Sequence, residues 1–180
     1  ATELTNDQVI QIGNALLADR TILTSLHNPE VDRAQEYQTV LLFRELRVIY
    51  PFIRYAAVYN ATTDRYINPE GLTPESESDV IDIATVETPS SYVVSFARWL
   101  RFSEVDERDP ERVIVHVLYP DIGFSRHHAG ALVIAVDADY MATQLLAPAG
   151  PEHSVVRAID SGDTVVLSTQ ADEFLADAHS

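Results

Sequence analysis

The sequence lacks cysteine and lysine, and it has no long apolar run. Without cysteine the chain can form neither a disulfide nor a thiolate metal site, and it has no cysteine nucleophile. No stretch approaches the roughly 18 consecutive apolar residues that a membrane-spanning helix needs. Its 12 basic residues, all arginine, stand against 28 acidic ones, and the formal net charge of -16 repels phosphate backbones. We therefore expect no nucleic-acid partner.

Catalytic signatures are also missing from the sequence. It contains no GxSxG elbow, no HExxH motif and no phosphate-binding glycine pattern. His127 and His128 are adjacent, so on an extended segment they point to opposite sides and do not easily share one ion. We predict no catalytic residue, no metal site and no cofactor. A small hydrolase that pairs His116 or His127 with an acid is the enzymatic alternative.

The length and apolar content of the chain fit one compact domain over residues 1–180, since 46% of the residues are hydrophobic. Residues 5–49 carry helical periodicity. A Thr5-x-x-Gln8 capping pattern opens a predicted long helix over residues 5–26. Asn28 then offers a cap with Pro29 at the first helical position, which predicts a second helix over residues 29–49.

Residues 50–180 have the composition of strands, turns and inserted loops. Alternating residues predict a hairpin between Tyr55 and Ile67, and apolar runs predict strands over residues 112–119 and 130–137. A closing hairpin is predicted to turn at Ser161, Gly162 and Asp163. The segment VVSFARWLRF is ambiguous between helix and strand. The whole predicts an α+β fold with about six mostly antiparallel strands.

The segment between the first hairpin and VVSFARWLRF is predicted as a long loop. Residues 69–91 contain several prolines, a glycine and the acidic run PESESD, with at most a short helix around Val80 to Ala84. Loops of this length inside a compact domain are usually lids or flexible insertions. We therefore expect either a functional lid or a flexible insertion here.

Four polar or aromatic side chains are candidates for ligand contact. His116 lies inside an apolar strand, where it is either a hydrogen-bonded core histidine or a ligand contact. Asp137 closes a strand before a predicted helix, where it is a helix cap, a pocket acid or both. Arg98 beside Trp99 suits a small anion or an amino acid. The alternative for that pair is a core tryptophan with snorkelling arginines.

Four segments in order carry a resemblance to a known family: YPFIRYAAVYNATTDRYINPEG, RVIVHVLYPDI, GALVIAVDADYMATQLL and VVRAIDSGDTVVLST. Together they resemble the Cache (PDC, PAS-like) extracytoplasmic sensor domains of bacterial membrane receptors, in particular those of sensor histidine kinases. Gly130 to Asp137, followed by Leu145, matches the family's late strand and helix. Asp160-Ser161-Gly162 matches its closing hairpin.

The resemblance implies a single Cache-type module, with a PAS-like antiparallel sheet backed by a long N-terminal helix. It implies a small-molecule pocket between the sheet and the mid-chain loops, and an extracytoplasmic location. It further implies a tether through flanking membrane spans that are absent from this chain. Ligand binding would then pass a conformational shift through the terminal helices to a cytoplasmic output domain of a two-component system, and the module itself would not be an enzyme.

The resemblance also implies pocket residues. In amino-acid-binding members, an arginine and a tryptophan of the mid-chain segment hold the ligand carboxylate and a late aspartate holds its amine; one residue separates that arginine and tryptophan, whereas here they are adjacent. An amino acid or organic acid is the expected ligand. The alternative is a ligand-free module in which the first helix pairs with its copy in a homodimer. The residues predicted to line or flank the pocket are Tyr55, Tyr59, Arg98, Trp99, His116 and Asp137.

Overall fold

The computed structural model describes residues 2–69, 92–102, 110–120, 130–146, 157–159 and 165–168. Several sequence predictions fall outside these residues. They are the short helix around Val80 to Ala84, the histidine pair at 127 and 128, and the turn at 161–163.

The described part of the chain contains four helices and seven strands. Three helices come first, then five strands, and a fourth helix precedes the last two strands. They are α1 (Thr2–Leu17), α2 (Arg20–His27), α3 (Arg33–Ile49), β1 (Ile53–Asn60), β2 (Arg65–Ile67), β3 (Val93–Leu100), β4 (Glu111–Leu118), β5 (Gly130–Asp137), α4 (Ala138–Leu146), β6 (Arg157–Ile159) and β7 (Val165–Ser168).

The predicted long first helix over residues 5–26 is wrong, because the helix breaks after Leu17. Asp19 adopts an extended conformation and accepts a hydrogen bond from the backbone N–H of Thr21 at 2.7 Å, so it caps a new helix. The apolar spacing hid this break because α2 resumes with its own buried side chains, Ile22 and Leu26.

The start of the next helix also differs from the prediction. Asn28 ends α2 as its C-cap, and its side chain accepts a hydrogen bond from the backbone N–H of Glu30. The helix begins at Arg33, after Asp32. The Asp32 carboxylate accepts hydrogen bonds from the backbone N–H groups of Ala34 and Gln35, at 2.9 and 3.2 Å. Two good capping residues lie close together here, and the later one is used.

The main sheet has five antiparallel strands in the order β2-β1-β5-β4-β3. This confirms the predicted α+β class with an antiparallel sheet and N-terminal helices. The sequence predicted about six strands, whereas the described part of the chain has seven, of which five form the main sheet. The ambiguous segment forms β3 at the edge, whereas β6 and β7 form a separate two-stranded sheet. No helix in the described ranges is both long and apolar enough to cross a membrane.

The main sheet is buried on both sides. Helices α1 to α4 cover one side, called here the helix-side face, where Phe43, Leu118, Leu132 and Ile134 belong to one apolar cluster. Gly13 lets α1 approach closely, since a side chain there would run into Leu118. The other side is called here the second face. Its buried members are Tyr55, Ala57, Tyr59, Leu100, Val113, Val115, Val117, Tyr119, Ala131, Val133 and Ala135.

Asn60 ties the helices to the end of β1. Its side chain is buried and donates to the backbone carbonyls of Ser25 and Asn28 at 2.8 and 2.9 Å. The same side chain accepts from the backbone N–H groups of Thr62 and Thr63 in the β1–β2 turn. A buried amide with all these groups satisfied fixes α2, β1 and the turn in one arrangement.

Candidate functional site

The second face combines tyrosines with alanines in direct opposition. In the β1–β5 ladder, Tyr55 lies opposite Ala135, and Tyr59 lies opposite Ala131. Residues directly opposite each other have side chains within contact distance, so each tyrosine ring packs beside a small side chain. All four side chains are buried, and they give this face a mostly apolar floor.

A β-bulge sets which side chains reach this face. The β1–β5 register shifts between Ile53 and Tyr55, so the extra residue is Arg54. Ile53 consequently faces the helices, whereas Tyr55 faces the other way. Without the bulge these two residues would share a face, because side chains alternate along a strand.

Arg98 and Asp137 lie in one row across the sheet. Arg98 pairs with Val113 in the β3–β4 ladder, and Val113 pairs with Asp137 in the β4–β5 ladder. By strand alternation all three belong to the second face, on which Val113 is fully buried. Two strand spacings separate the backbones of the outer residues by about 10 Å. A cation and an anion thus flank a buried valine.

Aromatic rings accompany the charged groups of the second face. The Arg98 guanidinium lies 5.4 Å from the centroid of the Phe96 ring, two residues earlier on the same strand. At the start of β1, Arg54 donates two hydrogen bonds to Glu111, at 2.6 and 2.5 Å. The ring of Phe102 lies within 5.9 Å of the Arg54 guanidinium. Because Glu111 already binds the Arg54 guanidinium with two hydrogen bonds, Arg98 is the better candidate to bind a ligand carboxylate.

Asp137 has a structural role as the cap of α4. Its carboxylate accepts hydrogen bonds from the backbone N–H groups of Asp139 and Tyr140, at 2.8 and 2.9 Å. Arg112, which forms an ion pair with Asp139, has its pKa lowered by burial, and the nearby Asp137 charge opposes that lowering. Since a carboxylate accepts several hydrogen bonds, Asp137 can cap the helix and still accept a hydrogen bond from a ligand. Its contact with a ligand stays a prediction.

Tyr59 has its hydroxyl engaged within the β1–β2 hairpin. The hydroxyl donates to the Asp64 carboxylate at 2.9 Å, and Asp64 adopts a left-handed backbone conformation with φ of 50°. Burial, together with the hydrogen bond and charge of Asp64, raises the pKa of Tyr59 to about 12. The phenol therefore stays neutral at physiological pH and presents its ring, 5.6 Å from that of Tyr66, to the second face.

Trp99 and His116 belong to the opposite side of the sheet. Trp99 is adjacent to Arg98, and adjacent residues of a strand point to opposite faces. His116 alternates with Ile114 and Leu118, which pack in the helix-side cluster. The six residues predicted to line or flank the pocket are therefore divided between the two faces of the sheet. Tyr55, Tyr59, Arg98 and Asp137 share the second face, whereas Trp99 and His116 do not.

His116 is a fully buried histidine with one hydrogen bond. Its Nδ1 lies 2.8 Å from the Ser95 hydroxyl, and burial lowers its pKa to about 4. Its Nε2 has no hydrogen-bond partner within the described residues. A serine hydrolase would need an acid to orient this ring. Asp137 lies on the opposite face of the sheet from His116, so the sheet does not bring these two side chains together.

Sequence reasoning missed several residues of the second face. Phe96 escaped notice because its segment was ambiguous between helix and strand, and only a strand places it beside Arg98. Arg54 and Glu111 meet through their side chains across β5, and Tyr119 follows β4 with its backbone N–H bonded to Tyr92; both placements depend on the strand order, which the sequence does not specify. Among the described residues, no group of three or more histidine, aspartate or glutamate side chains could hold a metal ion.

No family model and no curated protein matches the sequence. Solved structures match it across 96% of its length. One is the extracellular domain of a histidine kinase, vpHK1S-Z8, with a TM-score of 0.62 at 11% identity. Another is a domain of a sensory box/GGDEF family protein from Vibrio parahaemolyticus, at 0.64 and 13%. A third is the ligand-binding domain of the Pseudomonas fluorescens chemoreceptor CtaA in complex with L-serine, at 0.58 and 12%.

This chain has the fold of these sensor domains. It spans 64% of the length of the histidine kinase domain, 68% of the sensory box protein and 70% of the chemoreceptor domain. The fold predicted from the resemblance to Cache domains is therefore confirmed, and at 11–13% identity the likeness concerns the fold.

Proposed function

We propose that this chain is the ligand-sensing input domain of a membrane receptor, in which a small molecule binds at the second face of the main sheet. The observation that carries the proposal is the row formed by Arg98, Val113 and Asp137, beside tyrosines that lie opposite alanines. A pocket of this kind has an apolar floor and a few placed polar groups.

The chemistry of this row favours a ligand with a carboxylate at one end and an ammonium group at the other. Arg98 is exposed, and its planar guanidinium can hold a carboxylate with two parallel hydrogen bonds. Asp137 can accept a hydrogen bond from an ammonium group. An amino acid is therefore the first class to test, as the L-serine bound to the chemoreceptor CtaA also suggests. Organic acids, which use only the arginine, are the second class.

The sheet supplies a path from the ligand to the helices. In β4 and β5, alternate residues belong to the two faces, so a guest that moves these strands also moves the side chains that contact helices. Leu118 of β4 lies under Gly13 of α1, where a side chain on the helix would run into it. Such a shift is a change in the population of two arrangements, driven by the difference in ligand affinity between them.

The proposal includes an extracytoplasmic location and membrane spans beyond this chain that connect it to a cytoplasmic output, of the histidine kinase type. The fold is found in an extracellular histidine kinase domain and in a chemoreceptor, which supports this placement. The module would act by binding and not by catalysis. In support, Nδ1 of the buried His116 contacts the hydroxyl of Ser95, an exposed residue, while Nε2 has no hydrogen-bond partner in the described residues.

Calorimetric titration with a library of amino acids and organic acids tests the proposal. We expect a hit to bind the native chain and Arg98→Gln to bind it at least tenfold more weakly, since about 1.4 kcal/mol of a charge-assisted hydrogen bond is lost. Trp99→Phe, one residue away on the opposite face, is the matched control and should change the affinity less than about twofold, well below that loss. Silence from the whole library, or equal losses in both variants, would contradict it.

A further inference from the structure

A second arginine lies near the Asp137 end of the proposed binding row. Arg54, the bulge residue of β1, donates from Nε and from a terminal nitrogen to the two carboxylate oxygens of Glu111, at 2.6 and 2.5 Å. Two parallel hydrogen bonds of this kind form the strongest arrangement between a guanidinium and a carboxylate. The Arg54 guanidinium therefore already holds a carboxylate that belongs to the protein.

Glu111 belongs to the second face and lies close to Arg98. In the β3–β4 ladder, Glu111 lies opposite Leu100, which is buried in the second-face cluster. Arg98 precedes Leu100 by two residues, so it shares that face. Glu111 and Arg98 are thus diagonal neighbours, at a spacing of about 7 to 8 Å that long side chains can bridge. A ligand held by Arg98 therefore lies within reach of Glu111.

The Arg54–Glu111 pair also adjoins Asp137. The backbone N–H of Asp137 donates to the carbonyl of Phe52 at 2.9 Å, which sets the end of β5 beside the start of β1. Because β5 lies between β1 and β4, the pair bridges across this strand. In strand order, the acids Glu111 and Asp137 thus lie between the arginines of β3 and β1.

Aromatic contacts favour a fixed position for the pair. The Arg54 guanidinium lies 5.9 Å from the centroid of the Phe102 ring, which attracts a cation. The Phe102 ring lies 6.2 Å from that of Tyr55 and packs against the second-face cluster. These contacts hold the Arg54 side chain on the second face, where it binds Glu111.

We propose that the Arg54–Glu111 pair makes the site select ligands with one carboxylate over ligands with two, an inference that rests on the proposed binding at Arg98. A first ligand carboxylate binds Arg98, and a second one then meets the charges of Glu111 and Asp137, which repel it. To reach Arg54, it must displace Glu111, an intramolecular partner with a high effective concentration. An amide or ammonium group in the same place meets neither obstacle.

Ligand selectivity separates this role from a structural one. The pair joins β1 to β4 across β5, so its loss also affects the fold. Loss of a structural clamp weakens the binding of every ligand alike. Loss of a selective group changes the ratio of two affinities, because specificity is a difference between binding free energies.

Two matched ligands measure the ratio. L-Glutamate and L-glutamine have nearly the same size and differ by one carboxylate. Glu111→Gln keeps the length of the side chain and removes its charge, so that N–H groups of Arg54 become available to a ligand. Relative to the native chain, we expect calorimetry to show the ratio of glutamate to glutamine affinity shifted by about tenfold toward glutamate. An unchanged ratio would overturn the proposal.

Glu36→Gln is the matched control. Glu36 pairs with Arg65 at 2.9 Å on the helix side of the sheet, so the variant removes the same charge away from the site. It should shift the ratio by less than about twofold. Adding Arg54→Gln to Glu111→Gln should abolish the gain, and circular dichroism confirms that each variant folds. An equal shift in Glu36→Gln, or a gain that survives the loss of Arg54, would contradict the proposal.

Failure of the proposed function gives a different result. If the native chain binds no amino acid or organic acid, the proposed function is contradicted, and succinate then decides the present inference. Glu111→Gln should bind succinate, because Arg54 and Arg98 then both offer guanidinium groups on one face. Succinate binding by the variant and not by the native chain would support the inference, whereas silence of the variant would overturn it.

Discussion

The two faces of the main sheet are built from different side chains, although the same strands supply both. The strands contribute leucine, isoleucine, valine and alanine side chains to the helix-side face, where they pack under four helices. They contribute valine, alanine and tyrosine side chains to the second face, which also carries Arg98 on its edge strand. Close packing of aliphatic groups under helices favours stability, whereas tyrosine rings beside a few charged groups are typical of ligand contact. We infer that one face stabilises the fold and that the other binds.

The largest expected difference between the two faces is the loss of stability when a buried leucine is truncated to alanine. Leu132 belongs to the helix-side face and Leu100 to the second face, and both are fully buried. Truncation to alanine costs more where the surroundings cannot collapse into the space. We expect Leu132→Ala to lower the free energy of unfolding by about 4 to 5 kcal/mol, and Leu100→Ala by about 2 to 3 kcal/mol. Urea denaturation of both variants measures the difference.

Equal costs for the two leucines would break the comparison. They would mean that the second face is packed as tightly as the helix-side face, with no room for a guest. The urea dependence must have the same slope in both variants, because a changed slope would report a change in the unfolded state and not in packing.

His116 gives the helix-side face a sensitivity to acid. Its pKa is lowered from 6.5 to about 4 by burial, so the folded chain binds its proton less readily than the unfolded chain. The stabilisation is complete above about pH 6.5 and is lost as the pH falls toward 4. We expect the free energy of unfolding to drop by up to about 3 kcal/mol across this window from this group.

A variant without the imidazole isolates this contribution. His116→Gln should show a drop smaller by about 3 kcal/mol between pH 6.5 and pH 4, whatever its stability at neutral pH. If the native chain and His116→Gln lose stability in parallel, the histidine is not held neutral by the fold.

The sequence predicted the sheet better than the helices. The limits of β5 were predicted as residues 130–137, because a continuous apolar run between turn residues has few alternatives. The break between α1 and α2 was missed, since periodicity continues across it and only the Asp19 cap marks it. For β3, helical and strand spacing fit equally well, and its pairing with β4 decides the matter. Pairing between distant segments is tertiary information.

The candidate site could be predicted only in part for the same reason. Strand alternation alone places Arg98 and Trp99 on opposite faces, provided the segment is known to be a strand. The row that joins Arg98 to Asp137 requires the register of two ladders, which no local pattern specifies. The bulge at Arg54, which turns Tyr55 toward the second face, is likewise a property of the pairing. Their ligand contacts stay predictions.

The smallest expected effect concerns Tyr59, the tyrosine of the second face whose hydroxyl serves the hairpin. Tyr59→Phe removes the hydrogen bond to Asp64 and should lower the free energy of unfolding by about 1 kcal/mol. Affinity for a ligand held at the Arg98 row should change less than about twofold, a difference below 0.5 kcal/mol, because Tyr59 lies opposite Ala131, six residues along β5 from Asp137. Denaturation and calorimetry of the same variant give both numbers.

Alkaline conditions sharpen this last prediction. The pKa of Tyr59 is raised to about 12 from the ordinary 10, so the folded chain holds the phenolic proton more tightly than the unfolded chain. The resulting stabilisation is complete below about pH 10 and is lost as the pH rises toward 12. The difference in the free energy of unfolding between the native chain and Tyr59→Phe should therefore shrink between pH 10 and pH 12. A large loss of ligand affinity in Tyr59→Phe would instead place the binding site at the hairpin end of the second face, away from Arg98.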